Sequence, residues 1–360
     1  MPRVFNFSAG PSMLPLTVLE KAKSELLEYG GSGQSVMEMS HRSGEYLAII
    51  EGCEAKLRTV LDISGDYSVL FLQGGAWTQF SMLPMNLMTV NGTADFVLSG
   101  NWAEKAYIEA KRFGKANVVA SSEADYYSYI PEIDKAGLDE TADYLHICCN
   151  NTIYGTEFRS IPECAAPLAA DVSSTLLSRP LDVSQFGILY AGAQKNMGIA
   201  GLTVVIIKNC LLERSPDSLP PMFSYNVQRG AGSMFNTPPT FAVYMMSLML
   251  DWLEREIGGL EAMEEINAKK AGILYDYLDE SRLFRATARK DSRSRMNVCF
   301  VTKEKAMDSQ FCAAAEKRGL LNLAGHRLVG GARASIYNAM PVEGVTALRD
   351  FMREFEKERV

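Results

Sequence analysis

Short apolar runs alternate with longer stretches of helical spacing over the first two-thirds of the chain. The helical spacing predicts helices over 16–29, 43–61, 75–88 and 102–113. Pro15 precedes the first of these helices and the Gly30-Gly31 pair follows it, as is usual for helix ends. This alternation predicts a chain that passes repeatedly between strand and helix.

The apolar runs between these helices predict seven strands. They cover 67–72, 95–99, 117–120, 144–149, 167–170, 188–191 and 203–207. The runs are short and apolar without strict alternation, which is typical of a parallel sheet covered by helices on both faces. We therefore predict an α/β fold with a mainly parallel seven-stranded sheet. Its ligand site is expected at the carboxyl ends of the strands.

The pattern changes after residue 215. Five prolines between 215 and 240 predict an extended excursion. Helices are then predicted over 241–257 and 260–278, strands over 296–301 and 334–336, and helices over 306–318 and from 342 onward. We expect a large domain over 16–257 and a smaller α+β domain over 258–360, with the segment 1–15 near the active site.

Composition and charge exclude several classes of protein. The 360 residues are 47% hydrophobic, enough for a sizeable core, and carry a formal net charge of −7. No stripe of lysine and arginine indicates a nucleic-acid surface, and no apolar run approaches the length of a membrane span. The first residues lack the apolar stretch of a signal peptide, so we expect a cytosolic protein. Its seven cysteines, without a CxxC pair, are expected to be reduced, and its three histidines form no HExxH zinc motif.

Two charged residues lie where apolar strands are predicted to end. Asp171 ends the run that begins at 167, and Lys195 closely follows the run 188–191. A buried carboxylate and a buried amine are costly unless each has a partner or a chemical task. A structural salt bridge between the two is the simplest alternative, and these residues alone do not decide between the explanations.

The Gly74-Gly75 pair separates a predicted strand from a predicted helix. Glycines let the backbone approach a ligand, and a helix N-terminus offers free N–H groups to a phosphate. An ordinary strand-to-helix turn also uses glycine, so the pair alone is a weak signal. The chain has no GxxxxGK[ST] sequence and no GxGxxG after a strand, which disfavours a nucleotide.

A phosphate site, a strand-end aspartate and a strand-end lysine together are typical of a pyridoxal phosphate site. Lys195 would form a Schiff base with the cofactor, and Asp171 would pair with its pyridine nitrogen. Trp102 follows another predicted strand and could stack on the ring. Core packing is the simpler explanation for a lone tryptophan.

Two His-Arg dipeptides indicate the charge of the substrate. They are His41-Arg42 and His326-Arg327, and Arg333 follows the second within a segment of small residues. Arginine binds carboxylate and phosphate through its planar fork. An exposed loop explains any single arginine, but such a cluster on an acidic chain favours an anionic substrate.

Motifs from the first ten residues to the last thirty resemble the phosphoserine aminotransferases, which are class V members of the fold-type I PLP-dependent transferases. The matching segments are FNFSAGP (5–11), SHRS (40–43), FLQGG (71–75), GAQKN (192–196), GHRLVGG (325–331) and RASIYNAM (333–340). Each segment is modest alone, and together they are specific. The resemblance implies the fold-type I architecture with its smaller C-terminal domain.

The resemblance also implies roles for individual residues. Lys195 is the Schiff-base lysine, Asp171 the partner of the pyridinium nitrogen, and Trp102 the residue stacked on the ring. Further cofactor contacts are implied for Gly75, Ala76, Trp77, Thr152, Gln194, Asn236 and Thr237, the last two from the other subunit of a homodimer. Implied substrate ligands are His41, Arg42, His326, Arg327 and Arg333, with Arg333 on the α-carboxylate. Trp77 departs from the family pattern of a small residue or arginine, so only its backbone N–H is expected to contact the phosphate.

The implied activity is reversible amino transfer between L-glutamate and 3-phosphohydroxypyruvate. It yields O-phospho-L-serine and 2-oxoglutarate in serine biosynthesis. A phosphorylated four-carbon analogue, on the route to pyridoxal phosphate (pyridoxine biosynthesis), is a second implied substrate. Lys195 is expected to move the α-proton as general base and acid.

Three alternatives stay open at this point. An alanine–glyoxylate or serine–glyoxylate aminotransferase needs no phosphate pocket, so the His-Arg pairs argue against it. A cysteine desulfurase needs a reactive cysteine, and Cys299 and Cys312 lie in apolar or helical surroundings. A catalytically inactive PLP-binding protein, or an unrelated Rossmann-type binding module, would not require Lys195, Asp171 and both His-Arg pairs.

Overall fold

The computed structural model describes residues 3–359. Its helices are α1 (Leu16–Ser24), α2 (Gly44–Leu61), α3 (Gly75–Leu87), α4 (Asn101–Ala110), α5 (Asn209–Leu212), α6 (Tyr225–Gly230), α7 (Thr240–Trp252), α8 (Leu260–Glu280), α9 (Lys305–Lys317) and α10 (Val342–Lys357). Its strands are β1 (Phe5–Asn6), β2 (Tyr67–Leu72), β3 (Thr93–Leu98), β4 (Lys115–Ser121), β5 (Leu145–Cys148), β6 (Asn150–Asn151), β7 (Thr156–Glu157), β8 (Leu168–Asp171), β9 (Ile188–Gly192), β10 (Thr203–Lys208), β11 (Phe284–Ala286), β12 (Asn297–Thr302), β13 (Leu320–Leu321) and β14 (Ala332–Ser335).

A seven-stranded sheet forms the centre of the molecule, in the order β2-β10-β9-β8-β5-β3-β4. Strand β10 is antiparallel to both of its neighbours, and the other neighbouring pairs are parallel. Every residue of β2, β3, β5 and β8 is buried, which explains the unbroken apolar runs in the sequence. The predicted α/β class with a mainly parallel seven-stranded sheet is confirmed.

Helices cover both faces of this sheet. Buried side chains of α2 and α7 join one apolar cluster, and those of α3 and α4 join a second. In β9 the side chain of Leu189 belongs to the first cluster, whereas Ile188 and Tyr190 belong to the second. Because successive strand side chains point to opposite faces, the two clusters lie on opposite sides of the sheet.

The C-terminal part of the chain has its own sheet and its own apolar core. The sheet is antiparallel with the order β11-β12-β14, and buried residues of α8, α9 and α10 pack with it in a third cluster. Phe7 also belongs to this cluster, since β1 pairs with β13. A domain boundary between 257 and 258 would fall at the end of a π-helical turn, Leu253–Ile257, that continues α7. The boundary itself stays a prediction.

The structure differs from the sequence predictions in several places. Helix α1 ends at Ser24 rather than at residue 29, and Leu27 beyond it is 85% exposed, so the apolar residues there gain no buried surface from a longer helix. The segment 215–240 is not extended throughout. It contains α6, where the Ser224 hydroxyl accepts a hydrogen bond from the backbone N–H of Val227 at 3.3 Å. Strand β11 was not predicted.

Two global expectations can be compared with the described residues. All seven cysteines are free thiols, as expected from their spacing. Within residues 3–359 no helix is long and apolar enough to cross a bilayer.

Candidate active site

A cavity of about 430 Å³ lies at the carboxyl ends of the central strands. Strand β2 leads into it through Gly74, β8 through Asp171 and β9 through Lys195. These strands run in the same direction, so their ends meet at one edge of the sheet. Among the residues predicted from the sequence, the cavity is lined by Gly75, Ala76, Trp77, Trp102, Thr152, Asp171, Gln194, Lys195, His326 and Arg333.

Asp171 is the last residue of β8 and is 7% exposed. Its Oδ1 accepts a hydrogen bond from the backbone N–H of Ser173 at 2.9 Å. The Ser173 hydroxyl in turn accepts one from the backbone N–H of Gly192 at 3.1 Å, which fixes the end of β8 against β9. The second carboxylate oxygen makes no hydrogen bond to any part of the chain from 3 to 359 and is available to a ligand in the cavity.

Lys195 faces the same cavity three residues beyond β9. It is half-buried, and the ion pairs within residues 3–359 do not include one between Lys195 and Asp171. The structural salt bridge that the sequence left open is therefore absent from the described chain. The amine and the carboxylate line one cavity without neutralising each other.

The N-terminus of α3 forms one wall of the cavity. Gly74 has φ 94° and Gly75 has φ 66°, values that favour glycine. A Cβ on Gly74 would meet the Thr78 hydroxyl at 1.8 Å, so this turn has no space for a side chain. The first N–H groups of a helix have no partner within the helix, and they give this wall the character of an anion site.

Aromatic and polar side chains form the opposite wall. The Trp102 indole N–H donates a hydrogen bond to the Thr152 hydroxyl at 3.1 Å, and Arg333 Nη1 donates to the Thr152 carbonyl at 3.2 Å. Arg333 Nε is buried and has no hydrogen-bond partner within residues 3–359. Thr152, 4% exposed, thus holds Trp102 and Arg333 in place. The Arg333 Nε, which has no partner in the described chain, indicates that this side chain binds an anionic ligand.

The part of the cavity around His326, called its mouth below, has three cationic side chains nearby. Burial and then the nearby Arg333, Arg327 and Lys105 lower the pKa of His326 below 6.5. Several cationic side chains close together disfavour a further positive charge at this position and favour the binding of an anion. Of the residues that line the cavity, Asp171 is the single carboxylate.

Some predicted site residues do not line this cavity. Arg42, Asn236 and Thr237 are exposed on the surface of the chain, and His41 also lies outside the cavity lining. Asn236 lines a neighbouring cavity of about 380 Å³, and the side chain of Gln73 donates a hydrogen bond to the Thr237 carbonyl at 2.9 Å. Arg327 is exposed beside His326. Within one chain these five residues are not brought to Lys195.

A buried polar network supports the segment that carries Lys195. The side-chain amide of Asn196 donates to the carbonyls of Ser174 and Leu176, and its oxygen accepts from the backbone N–H of Asn338. Lys270, fully buried, donates to three carbonyls, of Tyr337 at 2.8 Å, Met340 at 3.1 Å and Asn338 at 3.3 Å. Hydrogen bonds thus connect the segment 337–340 both to the buried Lys270 and to Asn196, which directly follows Lys195.

Sequence reasoning missed several residues at the site. Ser173 lies two residues after Asp171, and its position in a turn that follows a strand-end carboxylate could have indicated its role. Ala9 and Gly10 line the cavity from the N-terminal segment, where only the family motif points to them. Lys105 gives no sequence signal, since it occupies an ordinary position on α4.

The residues present fit pyridoxal phosphate. A carboxylate with one free oxygen, an amine without an ion-pair partner, a helix N-terminus and an indole line one cavity large enough for a small aromatic ligand. Both cysteines considered for a cysteine desulfurase, Cys299 and Cys312, lie outside the cavity lining. Cys299 is 5% exposed and its thiol donates to the Ile153 carbonyl at 3.4 Å, which argues against that alternative. Burial raises the pKa of that thiol to about 12.

Comparisons with known proteins agree with this assignment. The family model described as "Aminotransferase class-V" matches residues 4–348. The phosphoserine aminotransferase of Geobacillus kaustophilus is 51% identical over 358 residues, which cover 99% of each chain. The crystal structure of the Bacillus circulans subsp. alkalophilus phosphoserine aminotransferase is 46% identical and has a TM-score of 0.96, with 99% of each chain covered. A PLP-bound phosphoserine aminotransferase from Trichomonas vaginalis is 38% identical with a TM-score of 0.93, over 98% of this chain and 100% of that one.

Proposed function

Because the chain belongs to the class V aminotransferases, with a family match over residues 4–348, we propose that it is a PLP-dependent phosphoserine aminotransferase. It transfers the amino group of L-glutamate to 3-phosphohydroxypyruvate and forms O-phospho-L-serine and 2-oxoglutarate. One observation carries this proposal: Asp171 and Lys195 face a single cavity and form no salt bridge with each other within residues 3–359, and cationic side chains lie near His326 in the lining of the same cavity. Relatives at about half identity over nearly the full length support the substrate.

Each wall of the cavity has a task toward the cofactor. Lys195 would hold pyridoxal phosphate as a Schiff base, and the free oxygen of Asp171 would accept a hydrogen bond from the protonated pyridine nitrogen. The backbone N–H groups of Gly75, Ala76 and Trp77 would hold its phosphate, with Gln194 beside it. Trp102 would cover the ring, and the Thr152 hydroxyl that orients Trp102 would contact the ring oxygen. When bound, the cofactor supplies an electron sink that makes the α-hydrogen of an amino acid acidic.

Proton transfer at the α-carbon falls to Lys195. Once its amine is freed by an incoming amino acid, it is the one amine that lines the cavity. It would accept the proton of the substrate α-carbon and return it to the cofactor carbon two bonds away, as a general base and then a general acid. Asp171 keeps a negative charge beneath the ring nitrogen throughout, and this fixed charge stabilises the electron-rich transition state.

Substrate binding uses the cations at the mouth. Arg333 offers its unpaired Nε edge to the α-carboxylate, which both substrates share. His326 lines the cavity and Arg327 lies near it, and we assign both to the distal end of the substrate, where glutamate carries a carboxylate and the other substrate a phosphate. A phosphate monoester is close to doubly charged at neutral pH, so it gains most from several cations.

A homodimer would complete the site. Asn236 and Thr237 are exposed beside Gln73 and the Gly74 turn, where a second subunit could receive them. Met222, Phe223 and Phe235 are also exposed around this region, at 39%, 38% and 48%. Exposed apolar side chains next to a ligand site favour a subunit interface. His41 and Arg42, which lie outside the cavity of their own chain, would reach the site of the partner.

The proposal extends to location and to a second substrate. Seven free cysteines are compatible with a reducing compartment, which supports action in the cytosol. The phosphorylated four-carbon acid on the pyridoxine route differs from 3-phosphohydroxypyruvate in length but carries the same two anionic ends. The cationic mouth would accept either compound.

A coupled assay tests the proposed reaction. The enzyme is supplied with L-glutamate and either 3-phosphohydroxypyruvate, pyruvate or glyoxylate, and 2-oxoglutarate is measured. We expect the phosphorylated acid to be preferred by at least about 100-fold in kcat/KM, since the other acceptors cannot use the phosphate-binding cations. A higher kcat/KM with pyruvate or glyoxylate would reject this function in favour of an alanine–glyoxylate or serine–glyoxylate enzyme.

A further inference from the structure

Lys105 stands at the mouth of the cavity without a charge partner. Its Nζ lies 4.5 Å from the centre of the Trp77 ring, and it is half-buried on α4. Within residues 3–359 its amine forms no salt bridge, although Glu104 and Glu109 flank it on the same helix. Glu109 pairs instead with Arg112 at 3.1 Å. The ammonium is therefore ordered by an aromatic ring rather than by a carboxylate.

Trp77 fixes where this charge lies. Its ring packs edge-on against Trp102, with centroids 6.3 Å apart and an interplanar angle of 88°. Trp77 is 51% exposed and lines the cavity, as Trp102 does. A tryptophan that buries so little of its surface gains little from the hydrophobic effect, so its position needs another explanation. It supplies a platform that holds Lys105 beside the cavity.

The charged residues that share the surroundings of His326 with Lys105, namely Arg327 and Arg333, carry the same charge. His326 lies close enough to Lys105, Arg327 and Arg333 for all three to disfavour its protonation. Like charges held near one another without a carboxylate repel, which destabilises the free protein unless an anion is bound among them. A surface lysine would turn toward one of its acidic helix neighbours at little cost. Lys105 stays on the cavity side, and this favours an anionic ligand as its partner.

We propose that Lys105, held on Trp77, is a specificity residue that binds a phosphate monoester at the mouth of the cavity, namely that of the acyclic substrate. This inference rests on the proposed phosphoserine aminotransferase function. Lys105 adds one more cation to those of Arg327 and Arg333, beside the imidazole of His326. A doubly charged phosphate gains more from that added charge than the single charge of the glutamate side chain does. The residue would thus separate the two substrates that share one site.

The cofactor is a second source of the same phosphate chemistry, since the backbone of Trp77 belongs to the proposed cofactor phosphate site. Two binding measurements separate the sources. Affinity for pyridoxal phosphate is measured by titrating the apoenzyme, and affinity for the substrate end is measured by calorimetry on the holoenzyme. 2-Phosphoglycolate serves as an unreactive phosphate probe, and glutarate serves as its dicarboxylate counterpart.

The variant Lys105→Met keeps the aliphatic stem and removes the charge. We expect the Kd of 2-phosphoglycolate to rise about tenfold, which is the lower range for a lost hydrogen bond to a charged group. The Kd values of glutarate and of pyridoxal phosphate should change less than about twofold. In turnover, KM for 3-phosphohydroxypyruvate should rise while kcat and the KM for glutamate stay close to wild type. Lys105→Arg should restore most of the phosphate affinity.

A matched control lies at the C-terminal end of α4. Lys111 places its Nζ 5.2 Å from the Tyr107 ring centre, away from the cavity, so Lys111→Met removes a similar cation–π pair without touching the site. It should leave all three Kd values unchanged. Trp77→Phe should preserve the platform and Trp77→Ala should weaken 2-phosphoglycolate binding, as expected of a positioning residue.

The outcomes separate a failure of this inference from a failure of the proposed function. Equal losses for 2-phosphoglycolate and glutarate, no loss for either, or a loss confined to pyridoxal phosphate would each overturn it. If the wild type failed to use 3-phosphohydroxypyruvate but still bound 2-phosphoglycolate through Lys105, the proposed function would fall and this assignment would stand.

Discussion

Replacing Arg333 with lysine should impair both halves of the amino transfer equally. Arg333 Nη1 already donates to the Thr152 carbonyl at 3.2 Å, and Nε is buried without a partner in the described chain. Within residues 3–359 neither Nε nor Nη2 makes a hydrogen bond, and we infer that this edge receives the carboxylate of a substrate. Every substrate of the reaction has an α-carboxylate, so the same edge serves glutamate and the phosphorylated acid alike.

The size of the effect follows from the number of hydrogen bonds lost. A carboxylate on that edge accepts two charge-assisted hydrogen bonds, each worth about 1.5–3 kcal/mol. Lysine supplies one point charge and keeps at most one of them. Arg333→Lys should thus lower kcat/KM by roughly 10- to 150-fold. Arg333→Ala should lose both bonds and fall by at least the square of the smaller factor, about 100-fold.

Steady-state kinetics with each substrate varied in turn provide the assay. We expect the loss in kcat/KM to agree within about threefold between glutamate and 3-phosphohydroxypyruvate. Arg285→Lys is the matched control, because Arg285 is exposed on strand β11 of the same three-stranded sheet, separated from the strand of Arg333 by β12. A loss confined to one substrate would show that Arg333 binds the distal anion and would refute its assignment to the α-carboxylate.

Three further predictions concern charge in the interior. Burial lowers the pKa of His146 to about 3 from 6.5, so the folded chain stays neutral there while the unfolded chain binds a proton below pH 6.5. Its contribution to the free energy of unfolding is fully present above that pH and falls with acidity, by roughly 2 kcal/mol at pH 5 relative to pH 7.5. Urea unfolding at both pH values should show a loss of stability in His146→Phe that is smaller than the wild-type loss by this amount, and equal losses in the two proteins would contradict the prediction. Asp171→Asn keeps the acceptor for the Ser173 N–H but removes the negative charge. We expect kcat to drop about 100-fold or more while the absorbance of the cofactor shows that it is still bound. An unchanged kcat would contradict the role of the charge. Lys270→Met leaves three buried carbonyls without their donor and should lower the free energy of unfolding by about 3 kcal/mol. The midpoint of urea unfolding measures this change, and an unaltered midpoint would show that these hydrogen bonds contribute nothing to stability.

Much of the central fold could be predicted because burial on both faces leaves a direct trace in the sequence. Strand β2 coincides with the predicted 67–72, and all its residues are buried. Asp171 and Lys195 could be assigned to one site from the sequence, because neighbouring parallel strands end at the same edge of the sheet. The end of α1 could not be predicted, since helical spacing continues past Ser24 while the surface that would bury Leu27 is absent.

Contacts between distant segments explain what was missed. Helix α6 could not be predicted within the proline-rich segment, because its first turn is capped by one hydrogen bond to the Ser224 side chain. Lys105 becomes a site residue only because α4 packs beside α3, which brings its amine over Trp77. The predicted contribution of Asn236 and Thr237 needs a second subunit, so the pattern of one chain cannot place them at Lys195.

The most direct test of the account is to identify the lysine that carries the cofactor. The enzyme is loaded with pyridoxal phosphate, reduced with borohydride, digested and analysed by mass spectrometry. The account predicts that the reduced cofactor is found on the peptide that contains Lys195, and that Lys195→Ala lacks both the visible absorption band and the modified peptide. A modified peptide that contains Lys105 or Lys270 instead, or a visible band that persists in Lys195→Ala, would contradict it.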